Sequence, residues 1–335
     1  MVGGLDPGQL VGQVLDSTYR VEQKLGSGAM GIVFRARHVR LRRWFAVKVL
    51  HPHLLADAKL RKRFAREAVL AGRLSHPNVV GVLDIGELDG VCFLVMDLAP
   101  GRPLSELLGR PFGRARAIEL LTQLCAGLDH AHGHGLVHRD LKPDNVIVET
   151  TDAEELARIV DFGIAIAREA PAGGGRDEGR LTTGGTVLGT PHYMAPEVAT
   201  GRAFDQRADL FALGVISYEM LTGCMPFDGS GVDVLHANIQ HDPPAMAERV
   251  PGLVVDPALE QLTRELMARD PAARPASAAA VRSRLDRCAR DSPPARERSS
   301  AIFGARALEA LGSAKTVAVA TLEQPASPED DDRGE

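Results

Sequence analysis

A change of period along the chain is the feature that most constrains its fold. Over residues 19–49, β-branched and apolar residues alternate with polar ones in YRVEQKLG, GIVFRARHV and RRWFAVKVL. A period of two puts successive side chains on opposite faces of a sheet. A helical pattern follows: in DAKLRKRFAREAVLAGRLSH, Leu60, Phe64, Ala71 and Leu74 fall on one face. Two more strand-like pieces, NVVGVLDIGEL and GVCFLVMDL, lead to Ala99, Pro100 and Gly101, whose residue types suit a hinge. From Leu104 to about Arg290 helical patterns predominate, interrupted by strand-like runs at 146–148 and 158–160. These periods predict an α+β chain of two lobes. The small N-lobe, 19–98, is a mostly antiparallel β-sheet with one main helix, and the C-lobe, 99–287, is larger and mainly helical.

Composition limits what such a chain can do. With 335 residues, 44% of them hydrophobic and 25% charged, there is apolar material for a core in each lobe. A net charge of -5 gives no electrostatic reason to expect nucleic acid or an anionic membrane as partner. Cys92, Cys125, Cys224 and Cys288 lie far apart, which argues against a disulfide framework or a zinc site and for a reducing cytoplasm. Residues 1–18, an N-terminal extension, lack a signal-peptide pattern, and no apolar run is long enough to span a bilayer, so membrane insertion is not expected. Residues 288–335 are polar, proline-containing and finally acidic, and are expected to form a disordered tail.

The chemistry begins at Gly26-Ser27-Gly28-Ala29-Met30-Gly31. A dinucleotide fold needs a helix after such glycines, because the helix N-terminus takes the pyrophosphate. Here the alternating strand IVFRARHV follows, so the glycines cap a hairpin whose amides can close over a phosphate chain. Lys48 lies in an otherwise apolar strand, and Glu67 lies on the apolar stripe of the following helix. A carboxylate aimed at a core requires a cation, and Lys48 is the expected partner. Further along, LVHRDLKPDN and Asp161-Phe162-Gly163 gather acidic and amide groups on either side of a short strand pair. Asn145 and Asp161 are hard oxygen donors suited to Mg²⁺, with Mn²⁺ as the alternative ion. Asp140 is left to orient a substrate hydroxyl and accept its proton.

Taken in order, GSGAMGIV, FAVK, REAVLAGRLSHPNVV, HRDLKPDN, DFG, GTPHYMAPE, DLFALGVISYEMLTG and DPAARP resemble the eukaryotic-type (Hanks-type) serine/threonine protein kinases of bacteria, from about residue 19 to 287. The resemblance implies ATP as phosphoryl donor and proteins as acceptors, with dimerisation through the N-lobe as the form of self-association to test. It implies a nucleotide site made of Gly26, Ser27, Gly28, Gly31, Lys48, Val33 and Ala46 above the base, and Ile147 below it. Met96 matches the gatekeeper, and the backbone of Asp97 and Ala99 would pair with the base. Asp140, Lys142, Lys48 and Glu67 match the catalytic set, and Asn145 and Asp161 the metal ligands. Lys142, together with Thr190, follows the serine/threonine pattern and departs from the tyrosine one. Asp209 matches an aspartate bracing the catalytic loop, and Glu197 and Arg274 match a buried ion pair.

Regulation is implied as well. Arg139 beside Asp140 matches the arginine that takes up an activation-loop phosphate, and the glycine-rich segment between DFG and APE offers Thr182, Thr183 and Thr186 as autophosphorylation sites, with Arg63 as a second cation. Ile166 stands where some relatives carry another basic residue, which weakens such a switch. A kinase-fold scaffold of low activity is the alternative reading, although none of Lys48, Asp140, Asn145 or Asp161 is missing. The insert ETTDAEELAR, 149–158, has no function legible in its residues.

Overall fold

Alternation in the first hundred residues becomes a six-stranded antiparallel sheet of order β1-β2-β3-β4-β6-β5. Its strands are β1 (Val14–Leu15), β2 (Tyr19–Gly28), β3 (Gly31–His38), β4 (Trp44–Leu50), β5 (Val82–Leu88) and β6 (Val91–Asp97). The structure, a computed structural model, describes residues 9–28, 30–52, 58–88, 90–152, 154–162 and 191–290, with backbone alone at 58–60 and 63.

The pleat sorts the N-lobe side chains onto two faces. Phe34, Val47, Val49, Phe93 and Val95 are buried on one. On the other, helix α1 (Ala58–Ala71) lays Phe64 and Ala68 against Ala46, Leu50, Leu94 and Met96. The register sets Val33 opposite Lys48 and Lys48 opposite Leu94, which fixes the lysine on the face that α1 covers. The sheet begins earlier than the alternation suggests. Leu10 and Leu15 are 1% and 2% exposed in the core of the first face, and β1 pairs with β2. A two-residue strand carries no periodic signal, so only its burial reveals it.

The chain leaves the N-lobe through Gly101, whose φ is +116° and where a Cβ would lie 2.3 Å from Val148 O. No other residue fits that approach. Beyond it, β7 (Arg102–Pro103), β8 (Val146–Thr150) and β9 (Glu155–Ile159) form a small antiparallel sheet. Around it lie α2 (Arg114–Gly133), α3 (Pro196–Ala199), α4 (Arg207–Thr222), α5 (Gly231–Gln240), α6 (Met246–Arg249), α7 (Pro257–Leu266) and α8 (Ala278–Arg290). Helix α4 is apolar almost all round because it is buried almost all round, and it stops at Gly223 in the left-handed region at φ +76°. Among the described residues no helix is long and apolar enough to cross a membrane.

The insert at 149–158 forms the β8–β9 hairpin and is stapled to α2. Arg116 donates to both carboxylate oxygens of Glu155 at 2.7 and 2.9 Å, and Gln123 donates to Glu155 O at 2.8 Å and accepts from Ala157 N at 2.7 Å. Asn78 adds a bond to Ala157 O at 2.8 Å, so the hairpin also holds the segment between α1 and β5.

Truncating a buried leucine leaves a cavity, and Leu15→Ala is expected to cost about 2–5 kcal/mol in equilibrium urea unfolding of the full chain. A loss below about 0.5 kcal/mol, the range of a neutral surface change, would show that the segment before Tyr19 adds nothing to the N-lobe.

Candidate active site

The roof of the cleft is the hairpin turn between β2 and β3, where Gly28 pairs with Gly31. A Cβ on Gly31 would sit 2.1 Å from Val49 O, so the protein's own backbone excludes a side chain there. At Gly26 and Gly28 a Cβ would meet nothing within 4 Å. Their bareness is therefore not demanded by internal packing, and it leaves backbone amides accessible to a phosphate chain. Val33, Ala46, Met96 and Ala99 belong to one apolar cluster behind this turn, suited to a flat base. Asp97 N donates to Gly81 O at 3.0 Å, and Ile147 lies half-buried on β8 beside Pro103.

The floor is organised by Asp209, from the first turn of α4. This carboxylate is 1% exposed and accepts three hydrogen bonds, from His138 N at 2.8 Å, Arg139 N at 2.9 Å and His132 Nε2 at 2.8 Å. Burial works to raise its pKa, but the hydrogen bonds from His132 and from the backbone amide of His138 prevail and hold it below the ordinary carboxylate range. His138 in turn accepts from Asp140 N at Nδ1, 3.3 Å, and donates from Nε2 to Val160 O, 2.9 Å, which selects its Nε2–H tautomer. Val160 N donates to Asn145 O at 2.9 Å. The loop carrying Asp140 and the strand end carrying Asp161 are thus clamped to each other.

Within that clamp the polar groups converge. Asn145 Nδ2 donates to Asp140 O at 2.8 Å, which commits the amide nitrogen to the protein and leaves its oxygen as a cation donor. Lys142 Nζ lies 3.2 Å from Asp140 Oδ2, and Lys48 Nζ lies 3.0 Å from Asp161 Oδ2. Arg139 and Asp161 are held at φ +69° and +62°, a region that side chains disfavour and that persists only where the surroundings impose it. Phe162 is buried against the His138 ring, with centroids 4.8 Å apart.

One expected contact is replaced by another. Glu67 was expected to steady Lys48; instead it pairs with Arg139 at 2.6 Å, while Lys48 pairs with Asp161. Both cations are largely withdrawn from water, with side chains 8% and 25% exposed, so each needs a carboxylate close by. Asp161, beside Lys48 on the cleft floor, satisfies the lysine, and the guanidinium fork of Arg139 reaches the half-buried Glu67.

Comparison with known proteins agrees with this geometry. The family model "Protein kinase domain" matches residues 19–285. The chain belongs to the protein kinase family. It is 40% identical over 306 residues to serine/threonine-protein kinase pkn3 of Myxococcus xanthus, covering 88% of this chain and 55% of that protein. It is also 40% identical over 259 residues to PknD of Mycobacterium tuberculosis, covering 76% of this chain and 37% of that protein. The chain thus spans about half the length, or less, of these curated relatives. Among solved structures, the Mycobacterium tuberculosis PknI kinase domain superimposes with a TM-score of 0.64 at 29% identity, covering 83% of this chain and 99% of that one. Membership of the family implies ATP and a divalent metal ion.

Elsewhere in the kinase domain, Glu197 and Arg274 form a bidentate pair at 2.7 and 2.8 Å that is shut off from solvent. Tyr193 donates to Glu219 at 2.7 Å, tying the segment before Pro196 to α4, and burial raises the pKa of Glu219. Thr182, Thr183, Thr186, Thr190 and Ile166 lie outside the described residues, as does the side chain of Arg63. His132 and His138 were missed from sequence. His132 continues the buried stripe of α2 after Cys125 and Leu128 and so reads as a core residue, and the roles of both histidines depend on a carboxylate some seventy residues away.

Because the folded pKa of Asp209 is lowered, its ionised form contributes stability that is complete above the unfolded value of about 4 and is lost as pH falls through the lower folded value. Asp209→Asn should therefore be less stable than wild type at neutral pH, by about 3–5 kcal/mol, and the gap should narrow on acidification. Thermal melts showing a gap independent of pH would mean that the charge is not what holds the loop.

Proposed function

We propose that this chain is an ATP-dependent protein kinase acting on serine and threonine hydroxyls, with a catalytic domain over 19–287 joined by the segment from residue 9 that buries Leu10 and Leu15. The observation that carries the reading is the convergence of Lys48, Asp161, Asn145, Asp140 and Lys142 under an open glycine turn. The names of the relatives and the pairing of Lys142 with Asp140 support serine and threonine as acceptors.

Each residue has a distinct task. Asp140 orients the acceptor hydroxyl and takes its proton as the new oxygen–phosphorus bond forms and the bond to the departing ADP breaks. Lys142, beside it, offsets the charge of the transferred group. Lys48 holds phosphate oxygens at the other end. Asn145 and Asp161 would hold Mg²⁺, which needs few protein ligands, with Mn²⁺ as an alternative decided by assay. The ion supplies neutralisation of phosphate charge when bound.

Arg139 links this chemistry to regulation. With Glu67 bonded to Arg139 and Lys48 to Asp161, the arrangement is that of a resting enzyme. Autophosphorylation at Thr182, Thr183 or Thr186 would draw Arg139 to the phosphate and leave Glu67 to pair with Lys48. The same pairing also suits a scaffold of low activity, which is the alternative. A cytoplasmic setting is supported by four free cysteines. N-lobe dimerisation is supported by the exposed Leu83 and Ile85 on β5, an edge strand of the sheet.

Incubation of the full chain with labelled ATP and Mg²⁺ or Mn²⁺ should label protein, and Asp140→Asn should slow transfer by about 10²–10⁴-fold. Equal labelling of wild type and Asp161→Ala would remove the enzyme and leave the scaffold. Mass spectrometry of the same reaction should find phosphate on at least one of Thr182, Thr183 and Thr186, and its absence there would sink the regulatory scheme.

A further inference from the structure

We propose that His51 is a positioning residue for the glycine-rich turn, setting that turn relative to Lys48 and thereby the affinity of the cleft for a nucleoside di- or triphosphate. The nature of the ligand rests on the kinase reading; the tether itself is geometric. His51 lies three residues beyond Lys48, just past the end of β4.

Beyond the β2–β3 ladder, in which Gly28 pairs with Gly31, the turn has few side chains to hold it. Ser27 and Gly28 are exposed, Gly26 and Gly28 have no side chain to pack, and glycine loses more conformational freedom on ordering than any other residue. His51 fastens two of its carbonyls. The backbone N–H of His51 donates to Met30 O at 3.1 Å, and ring Nε2 donates to Gly28 O at 3.1 Å. The first bond extends the β3–β4 ladder, in which Gly31 pairs with Leu50 and Val33 with Lys48. The second reaches across β3 to the far strand of the hairpin, because Gly28 belongs to β2. That reach is short since β3 and β4 press together at Gly31, where a Cβ would lie 2.1 Å from Val49 O.

One side chain therefore ties the roof of the phosphate cleft to the strand that carries Lys48. The neutral Nε2–H tautomer and the imidazolium both carry the required donor. Ordering the turn beforehand lowers the entropy that ligand binding must overcome.

The test compares wild type, His51→Phe and His51→Gln as full chains, by equilibrium titration with Mg-ADP and by steady-state kinetics with ATP. Phenylalanine keeps a ring and deletes the donor, whereas glutamine keeps an N–H donor. His51→Phe should weaken Mg-ADP binding and raise KM for ATP by about 3- to 10-fold, the worth of one hydrogen bond. Its kcat should stay within about 2-fold, and amide exchange should quicken at residues 26–31 and not in the rest of the sheet. His51→Gln should recover most of the affinity. Unchanged affinity in His51→Phe overturns the inference, and so does an equal loss in both variants, which would make His51 a packing element only. Should His51→Phe fail to fold, His51→Gln decides: near-wild-type affinity and exchange at 26–31 support the tether, and their loss overturns it. A chain that binds Mg-ADP in a His51-dependent way but transfers no phosphate keeps the tether and loses the kinase reading.

Discussion

The catalytic loop depends on one buried charge. Asp209 sits on α4 with almost no contact with water, where an ionised carboxylate is tolerated only if hydrogen bonds replace its hydration. It obtains them from His132 and from the backbone of His138 and Arg139, so forming those bonds and shaping the loop are a single event. The left-handed φ of Arg139 is part of that shape, and its strain is offset by the bonds that the carboxylate receives. From there the order propagates. The His138 ring, fixed between Asp140 N and Val160 O, sets the strand end at Asp161, which is itself left-handed. Asp140 and Asp161, from different elements, are thereby positioned through one carboxylate on α4.

How much of this was legible in the sequence follows from the range of each interaction. Period two and period 3.6 are local properties, so the two lobes, the strand bearing Lys48 and the helix bearing Glu67 could be read directly. The motif residues were legible because their order along the chain is specific, and Glu197 and Arg274 followed from the same resemblance. The choice of ionic partner was not legible. The sequence pattern matches Glu67 with Lys48, whereas the cation it takes in the structure depends on where Asp161 and Arg139 are held, and Arg139 is held by Asp209. The burial of Leu10 and Leu15 was hidden for a different reason: Leu15 lies in a strand of two residues and Leu10 in no regular element, so neither has a period to detect. The 149–158 insert was silent because its role lies in the side chains of α2, with Arg116 and Gln123 bonded to Glu155.

The pairings of Lys48 and Arg139 bear on how such a cleft could be switched. In the arrangement present, both cations and both carboxylates are matched, Lys48 with Asp161 and Arg139 with Glu67. In the arrangement proposed for transfer, Lys48 takes Glu67, Arg139 takes a phosphothreonine, and Asp161 takes the metal ion. No buried charge is stranded in either state, and stranding one is what would cost several kcal/mol. The two states can then lie close in energy, within reach of a modest bias. A phosphothreonine brings a charge of about −2 and one to three charge-assisted hydrogen bonds. A phosphate on Arg139 and a metal-bound nucleotide on Asp161 act in the same direction. The two inputs, one at each end of the exchanged pairs, therefore add in the proposed switch.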